Sequence, residues 1–283
     1  MTANPTWHLI IDVAECNHCH NCVLAAKDEL VGNDFPGYSA PHAAHGPGVI
    51  RIERTVRGHG HWVDAAHLPR LCQHCANAPC VAAGQGAVRQ RPDGIVIFDP
   101  VAAKGRRDLV DACPHGAVVW NEAAQLPQTW FFDAHLLDQG QAAPRCVAVC
   151  PTQAIQALKV SDADMAQRAQ AEGLRRLQPE HGTQGRVFYR HLHRVDRLRL
   201  AGSAIANVQG RPECLEGAEV RLVRDGQVLA QTRSNAFGDF AFDDLPPGAG
   251  RLSVHLSHPQ AGQAVVATAL AQTPVVLGDV LLS

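Results

Sequence analysis

The sequence predicts an α+β protein in two parts, a cysteine-rich domain over residues 1–198 and an antiparallel all-β domain over residues 199–283. Two observations lead to this division. All cysteines except Cys214 lie between Cys16 and Cys150, in closely spaced groups. After about Ala201 the chain changes to short stretches in which apolar and polar residues alternate, as they do in half-buried strands.

The composition limits the classes of function and location. With 25 basic and 27 acidic residues the net charge is −2, so there is no basic excess to indicate nucleic-acid binding. The apolar runs are far shorter than the roughly 20 residues of a membrane-spanning helix, which predicts no membrane span. Residues 1–7 lack the pattern of a secretory signal peptide. Ten cysteines without an export signal indicate metal ligation in a reducing compartment, and hence a cytoplasmic protein.

The first group of cysteines is Cys16, Cys19 and Cys22, which follows a predicted strand over residues 8–13. Thiolates at this spacing on a tight loop converge on one soft metal centre, as in the opening loop of an iron–sulfur site. Taken alone, the group is also compatible with a zinc knuckle or a disulfide pair.

The second group, Cys72, Cys75 and Cys80, follows an irregular insertion over residues 34–61, within which residues 49–56 form a predicted strand. Downstream, the pattern predicts a hairpin over residues 88–99, a helix over residues 101–112, a strand over residues 117–120 and a helix over residues 130–140. None of the sixteen histidines is assigned to a metal.

Two further cysteines, Cys113 and Cys150, are each followed directly by proline. In bacterial ferredoxins the fourth cysteine of a Cys-x2-Cys-x2-Cys-x3-Cys-Pro run ligates the other cluster of a pair. Two triplets and two Cys-Pro cysteines therefore make two complete four-thiolate sites. This arithmetic predicts a ferredoxin-like domain with insertions and two [4Fe–4S] clusters, and it makes structural zinc the weaker alternative.

These groups, together with several short stretches, resemble the iron–sulfur subunits of the dimethyl-sulfoxide-reductase superfamily of molybdopterin enzymes. The resemblance is closest to the small-subunit family of pyrogallol–phloroglucinol transhydroxylase and resorcinol hydroxylase, and it extends over essentially the whole chain. The stretches that carry it are residues 35–38, 51–54, 77–82, 93–97, 119–122 and 134–138.

The family pattern implies how the cysteines pair. Carried over to this chain, one cluster is held by Cys16, Cys19, Cys22 and Cys150, and the other by Cys72, Cys75, Cys80 and Cys113. The resemblance further implies a non-catalytic subunit, with no catalytic residues of its own. Its partner would be a large catalytic subunit that holds a bis-molybdopterin guanine dinucleotide molybdenum centre and a phenolic substrate, in a heterodimer or larger assembly.

The departures from the family pattern imply that two further clusters are lost. The ligand positions of one fall on Gly84, Ala103, Arg106 and Leu109, and those of the other on Ala26, Trp130, Asp133 and Cys146. Asp133 and Cys146 are too few to hold a cluster, and a buried packing thiol is the expected state of Cys146. The missing clusters predict slow electron passage, which suits a transhydroxylation without net oxidation.

The remaining chain predicts structure rather than chemistry. Ser161 is the expected N-cap of a helix that runs towards Leu177, and residues 186–200 are expected to be extended. The strands after Ala201 resemble an immunoglobulin- or transthyretin-like sandwich or barrel, in which Cys214 is a packing thiol. The alternative function is a freestanding ferredoxin-like electron carrier or a structural docking subunit.

Overall fold

The computed structural model describes residues 4–283. Residues 1–3, which belong to the predicted first domain and to the stretch 1–7 considered for a signal peptide, lie outside the described part. The chain forms two compact units. One comprises Met1–Glu53 and His67–Leu192, and the other comprises Arg54–Ala66 and His193–Ser283. The predicted boundary at residue 198 stays a prediction, because compactness alone does not define a domain.

The strands alternate with short helices in the first unit and dominate the second. They are β1 (Thr6–Asp12), β2 (Arg51–Arg57), β3 (Asp64–Arg70), β4 (Val88–Gln90), β5 (Val96–Phe98), β6 (Val119–Asn121), β7 (Leu126–Gln128), β8 (Ile155–Val160), β9 (Arg175–Arg176), β10 (Val187–Arg190), β11 (Leu198–Val208), β12 (Arg211–Cys214), β13 (Glu219–Arg224), β14 (Gln227–Arg233), β15 (Asp239–Leu245), β16 (Gly250–His258), β17 (Gly262–Leu270) and β18 (Val275–Leu282). This content confirms the predicted α+β class.

Most helices are short. They are α1 (Asn21–Leu30), α2 (Pro79–Gly84), α3 (Asp108–Asp111), α4 (Ala134–Asp138), α5 (Arg145–Ala148), α6 (Asp162–Ala171) and α7 (His193–Asp196), with 3₁₀ turns at Gly60–Trp62 and Pro179–His181. Among residues 4–283, no helix has the length and apolar character required to cross a lipid bilayer.

The first unit is built on a four-stranded sheet in the order β8-β1-β10-β9. The central pair β1/β10 is parallel, and the outer pairs are antiparallel. Ile10 and Phe188 of the central strands pack against Met165 and Ala169 of α6, so this helix covers one face of the sheet. Ser161 accepts a hydrogen bond from Asp164 N at 3.1 Å, which confirms the predicted N-cap.

Three predicted helices are shorter in the structure than in the sequence pattern. The helix capped by Ser161 ends at Ala171 rather than near Leu177, before Gly173 turns the chain with a positive φ of 63°. Only Asp108–Asp111 is helical within the stretch 101–112, since Gly105 adopts a positive φ of 77° and turns the chain. Within 130–140 the helix begins at Ala134, after Phe132 and Asp133 in the left-handed region. The predicted hairpin over 88–99 is confirmed by the antiparallel pair β4/β5. The prediction that residues 186–200 are extended is wrong at His193–Asp196, which form α7 where Arg57 binds the carbonyls of His193 and Arg197.

The second unit contains two four-stranded sheets. One has the order β12-β11-β15 with β18 added to β11, and the other has the order β14-β13-β16-β17. Both sheets contribute to one apolar core, including Leu200 and Phe242 from the first sheet and Leu222 and Val254 from the second. The predicted sandwich is therefore present, while its resemblance to immunoglobulin or transthyretin modules stays a prediction.

One strand pair corrects the description of this unit as antiparallel. Strand β18 runs parallel to β11, with Ala204 opposite Val280. Residue alternation shows which side chains face the core but carries no information about strand direction, so the sequence pattern could not reveal this pair. Small residues such as Ala201, Gly202 and Ser203 mask the alternation in β11, so the pattern does not predict this strand. The prediction that Cys214 is a packing thiol is wrong, because β12 is an edge strand whose four residues are all exposed.

A buried arginine holds the segment Arg54–Ala66 within the second unit. The side chain of Arg57 is 3% exposed and pairs with Asp64 and Asp243. It also donates to the backbone carbonyls of Asp243, at 2.8 Å, and of His193 and Arg197, each at 3.2 Å. Paired and hydrogen-bonded in this way, a guanidinium is tolerated in the interior.

Candidate metal centres

The first cysteine loop begins where β1 ends. Asp12 accepts a hydrogen bond from Ala14 N at 2.9 Å, and Val13 N donates to Arg190 O at 3.1 Å, so the chain is held on both sides as it leaves the sheet. His18 and His20 then adopt positive φ angles of 62° and 63°. These turns curl the loop back on itself before α1 begins at Asn21.

Strand pairing brings the distant Cys150 to this loop. Strand β8, which follows Cys150, pairs antiparallel with β1, and Asp12 N donates to Ala154 O at 2.8 Å. Cys16, Cys19, Cys22 and Cys150 line one cavity of about 300 Å³ including its open mouth, together with apolar groups of Ile52, Pro69, Ala154 and Ile155.

The second cysteine loop is held by backbone hydrogen bonds to the segment that precedes β10. Ala76 N and Asn77 N donate to the carbonyls of Gln184 and Thr183, each at 3.0 Å. On the other side, Gln90 Nε2 donates to Cys75 O at 2.6 Å. The loop is therefore fixed between the hairpin β4/β5 and the central sheet.

Cys113 reaches this loop through the contact between α2 and α3. Arg106, just before α3, donates to Ala83 O in α2 at 3.0 Å. Cys72, Cys75, Cys80 and Cys113 line one cavity of about 340 Å³, whose other walls include Val96, Phe98 and Val118. Both predicted cysteine quartets are thus brought together, each around its own cavity.

Burial controls the acidity of these thiols. Desolvation, with the neighbouring cysteines, raises the pKa of Cys22 to about 11 and that of Cys80 to about 12. The fully buried Cys72 is raised well above its ordinary pKa for the same reason. A bound cationic centre would reverse this balance, because metal ligation stabilises the thiolate.

The donor set of each cavity limits the kind of metal centre that it could hold. Four thiolates without nitrogen or oxygen ligands suit either iron–sulfur chemistry or zinc. A tetrahedral zinc site with Zn–S bonds of about 2.3 Å requires sulfur atoms about 3.8 Å apart. Within residues 4–283, no group of three or more His, Cys, Asp or Glu side chains is placed to hold a single metal ion. Four cysteine thiolates are also the usual ligand set of a [4Fe–4S] cluster.

The sequence has characterised relatives. The model of the family "4Fe-4S dicluster domain" matches residues 63–160. The chain is 41% identical over 245 residues to the pyrogallol hydroxytransferase small subunit of Pelobacter acidigallici, covering 86% of this chain and 88% of the relative. This chain belongs to the family of [4Fe–4S] electron-transfer subunits of molybdenum oxidoreductases.

Other members of this iron–sulfur family are more distant. A subunit of the tetrathionate reductase of Salmonella typhimurium is 31% identical, covering 64% of this chain and 70% of the relative. The iron–sulfur subunit of the arsenate respiratory reductase of a Shewanella species is 30% identical, covering 48% of this chain and 53% of the relative.

In this iron–sulfur subunit, three of the four positions that the family pattern assigns to a further cluster lie in close packing, and the fourth, Arg106, pairs with Asp108. Ala103 and Leu109 are completely buried in a core that also contains Val88. A Cβ atom on Gly84 would lie 2.8 Å from Cβ and 2.9 Å from Cγ2 of Val88. The helix and the hairpin are therefore too close at this point for any side chain at position 84.

Two of the positions that the family pattern assigns to another cluster, Trp130 and Asp133, are hydrogen-bonded to each other among aromatic side chains. Trp130 Nε1 donates to one oxygen of Asp133 at 3.0 Å, and Arg145 N donates to the other at 2.8 Å. Burial raises the pKa of the Asp133 carboxyl. Trp130 stacks on Phe132 with 4.9 Å between ring centroids, and Cys146 is 2% exposed. Both oxygens of Asp133 are thus already engaged.

Sequence reasoning missed the residues that support the cysteines. Pro69 and Ile52 line the first cavity, and Phe98 and Val118 line the second. Cys75 is hydrogen-bonded by Thr183, which also lies 2.9 Å from Nε2 of His115. No sequence pattern assigns these residues to a cavity, so only the fold shows which cysteines each of them supports.

Proposed function

We propose that this chain is the two-cluster iron–sulfur subunit of a molybdopterin enzyme that hydroxylates or transhydroxylates phenolic aromatics. The observation that carries the proposal is the convergence of each cysteine triplet with one Cys-Pro cysteine around a separate cavity. Cys16, Cys19, Cys22 and Cys150 would hold one [4Fe–4S] cluster, and Cys72, Cys75, Cys80 and Cys113 the other. When bound, such clusters supply reversible one-electron transfer.

Two clusters, rather than more, agree with the packing at the other positions. The contact between Gly84 and Val88 leaves no room for a ligand side chain. Asp133 is engaged by Trp130 and Arg145 and has no free oxygen to offer to iron. Cys146 remains as a single thiol, which is insufficient for a cluster site.

The catalytic chemistry would take place in a partner protein. The Pelobacter acidigallici relative is, by name, the small subunit of a pyrogallol hydroxytransferase. By this relationship, the partner would be a large subunit that holds a bis-molybdopterin guanine dinucleotide molybdenum centre and a phenol. The present chain would contribute ligated clusters and no catalytic side chain, in a heterodimer or larger assembly.

The decisive experiment is the iron content of the protein purified anaerobically together with its large subunit. We expect about eight irons per small chain, corresponding to two clusters. About twelve irons would show that a third cluster is held at Asp133 and Cys146. Molybdenum in the same complex supports the enzyme-subunit function, whereas an eight-iron chain that binds no molybdenum subunit would be a freestanding carrier.

Cysteine variants test the composition of each site. Cys150→Ala and Cys19→Ala should perturb the same cluster signal in electron paramagnetic resonance (EPR), and Cys113→Ala should perturb the other. Cys214→Ala is the matched control, because this exposed cysteine lies in the second unit. If Cys113→Ala and Cys19→Ala perturbed the same signal, the pairing would be wrong.

A further inference from the structure

The two cysteine cavities share a short wall. Pro69, in β3, lines the first cavity, and Cys72 lines the second. Consecutive Cα atoms are about 3.8 Å apart, so the Cα atoms of Pro69 and Cys72 are separated by at most about 11 Å. We call residues 69–73 the inter-cavity wall. Only two residues, Arg70 and Leu71, separate the lining of one cavity from a cysteine of the other.

The hydroxyl of Tyr189 bridges this wall. The Tyr189 side chain is completely buried in β10. Its hydroxyl donates to Pro69 O at 3.3 Å and accepts from Gln73 Nε2 at 3.1 Å. Gln73 lines the second cavity and also donates to Leu71 O at 3.0 Å. One hydroxyl therefore connects a residue of each cavity by hydrogen bonds.

Most of the wall is buried, and hydrogen bonds hold it in place. Leu71 is 2% exposed and Gln73 is 3% exposed. Arg70 donates to His115 O at 3.0 Å and to Glu53 Oε2 at 3.1 Å. Burial raises the pKa of Tyr189 to about 12, so the phenol keeps its proton at neutral pH. Electrons tunnel more readily through a packed, hydrogen-bonded medium of this kind than across a water-filled gap.

A second connection between the sites passes through more groups. From His74 of the second loop it crosses to the Trp130 ring, with 5.6 Å between ring centroids. It then follows the hydrogen bonds of Asp133 to Trp130 and to Arg145, whose neighbour Cys146 interacts with Cys22 and Cys150. This route requires a through-space step between rings, two hydrogen bonds and a second through-space step from Cys146 to the cysteines of the first cavity.

We propose that the inter-cavity wall, bridged by the Tyr189 hydroxyl, is the route by which the two clusters exchange electrons. The proposal rests on the proposed function, because it requires both clusters. With both clusters bound, a reduced cluster in one site would give one electron to the oxidised cluster in the other, so that the first is oxidised and the second reduced. No bond forms or breaks, and Tyr189 remains a neutral phenol. On this proposal the two clusters exchange electrons directly, and the lost clusters do not make the transfer slow.

The test compares Tyr189→Phe with the wild type in the anaerobic holoprotein, half-reduced with dithionite. Exchange broadening of the cysteine β-proton resonances in paramagnetic NMR reports the rate of electron transfer between the clusters. We expect a severalfold slower rate in Tyr189→Phe, with iron content and unfolding midpoint close to wild type. Tyr38→Phe is the matched control, since that hydroxyl bonds Asp138 at 2.6 Å on an exposed surface, and it should leave the rate unchanged.

The possible outcomes separate the two proposals. A wild-type rate in Tyr189→Phe with both clusters present overturns the route, and so does a slower rate in Trp130→Phe alone, which would assign transfer to the longer connection. If Tyr189→Phe loses iron, Gln73→Met is used instead, because it removes the donor to the same hydroxyl. We expect Gln73→Met to slow the electron exchange, and an unchanged rate in this variant overturns the route. A wild-type protein without about eight irons contradicts the proposed function itself.

Discussion

Gly84→Ala is the substitution that most directly tests the packing at a lost ligand position. The added Cβ would lie 2.8 Å from Cβ of Val88, an atom fixed to the backbone of β4, and 2.9 Å from Cγ2. Rotation of the Val88 side chain can move Cγ2 but cannot move Cβ. The clash is therefore relieved only if α2 and the hairpin move apart.

Two opposing terms set the magnitude. Replacing glycine by alanine in a helix stabilises by about 0.8–1.0 kcal/mol, whereas overpacking a core costs about 1–3 kcal/mol. Because Val88 is 2% exposed and its Cβ cannot move away, the cost should fall in the upper part of that range. We expect Gly84→Ala to lower the free energy of unfolding by about 1–2 kcal/mol.

Urea unfolding of the iron-loaded protein measures this difference, provided that the variant and the wild type have the same dependence of unfolding free energy on urea concentration. Ala82→Gly is the control, because Ala82 is exposed in the same helix and reports helix propensity alone. Gly84→Ala combined with Val88→Ala, which removes Cγ2, should be less destabilised than the sum of the single variants, by about 0.5 kcal/mol or more. A neutral or stabilised Gly84→Ala would refute the packing argument, and so would a gain of iron in Gly84→Cys.

Two further predictions concern buried charge. Arg57→Met should lower the free energy of unfolding by about 3 kcal/mol, which is the lower end of the cost of breaking a buried pair. The lower end applies because Asp64 still pairs with Arg194 and Asp243 still pairs with Arg199. Urea unfolding measures this loss, and a loss no larger than that of the exposed control Arg251→Met would contradict the role of Arg57. Burial lowers the pKa of His8 from 6.5 to about 4, so below pH 6.5 the unfolded chain binds more protons. The stabilisation that comes from keeping His8 neutral is complete above pH 6.5 and is lost as pH falls towards 4. Over that range, the free energy of unfolding should therefore fall less steeply in His8→Gln than in the wild type. Equal slopes would show that His8 does not carry this pH dependence.

Much of the local structure was accessible from the sequence. The predicted strand before Cys16 is β1, and the hairpin around Asp93 is the pair β4/β5. Alternating apolar residues such as Val220 and Leu222 mark β13, whose buried face is part of the second core. These elements are predictable because side-chain periodicity is a local property of the chain.

Errors arose where tertiary contacts override local preference. The stretch 101–112 has helical composition, but most of it forms turns that carry Ala103 and Leu109 into the core beside the hairpin. Strand β11 was missed because its small residues lie where other groups approach closely, as at Gly202, where Phe240 and the Gly278 carbonyl leave no space for a side chain.

For the metal centres, the sequence by itself determined the ligand chemistry. Thiols two residues apart are held near one another by the covalent chain, and Cys-Pro pairs supply the missing partners. The tertiary structure alone decided how these groups meet: pairing of β8 with β1 places Cys150 beside the first loop, and packing of α2 on α3 places Cys113 beside the second. It also decided that the Tyr189 hydroxyl bonds to Pro69, which lines the first cavity, and to Gln73, which lines the second. The physical reason is that such contacts join residues far apart in the chain, and only a folded core fixes distances of that kind.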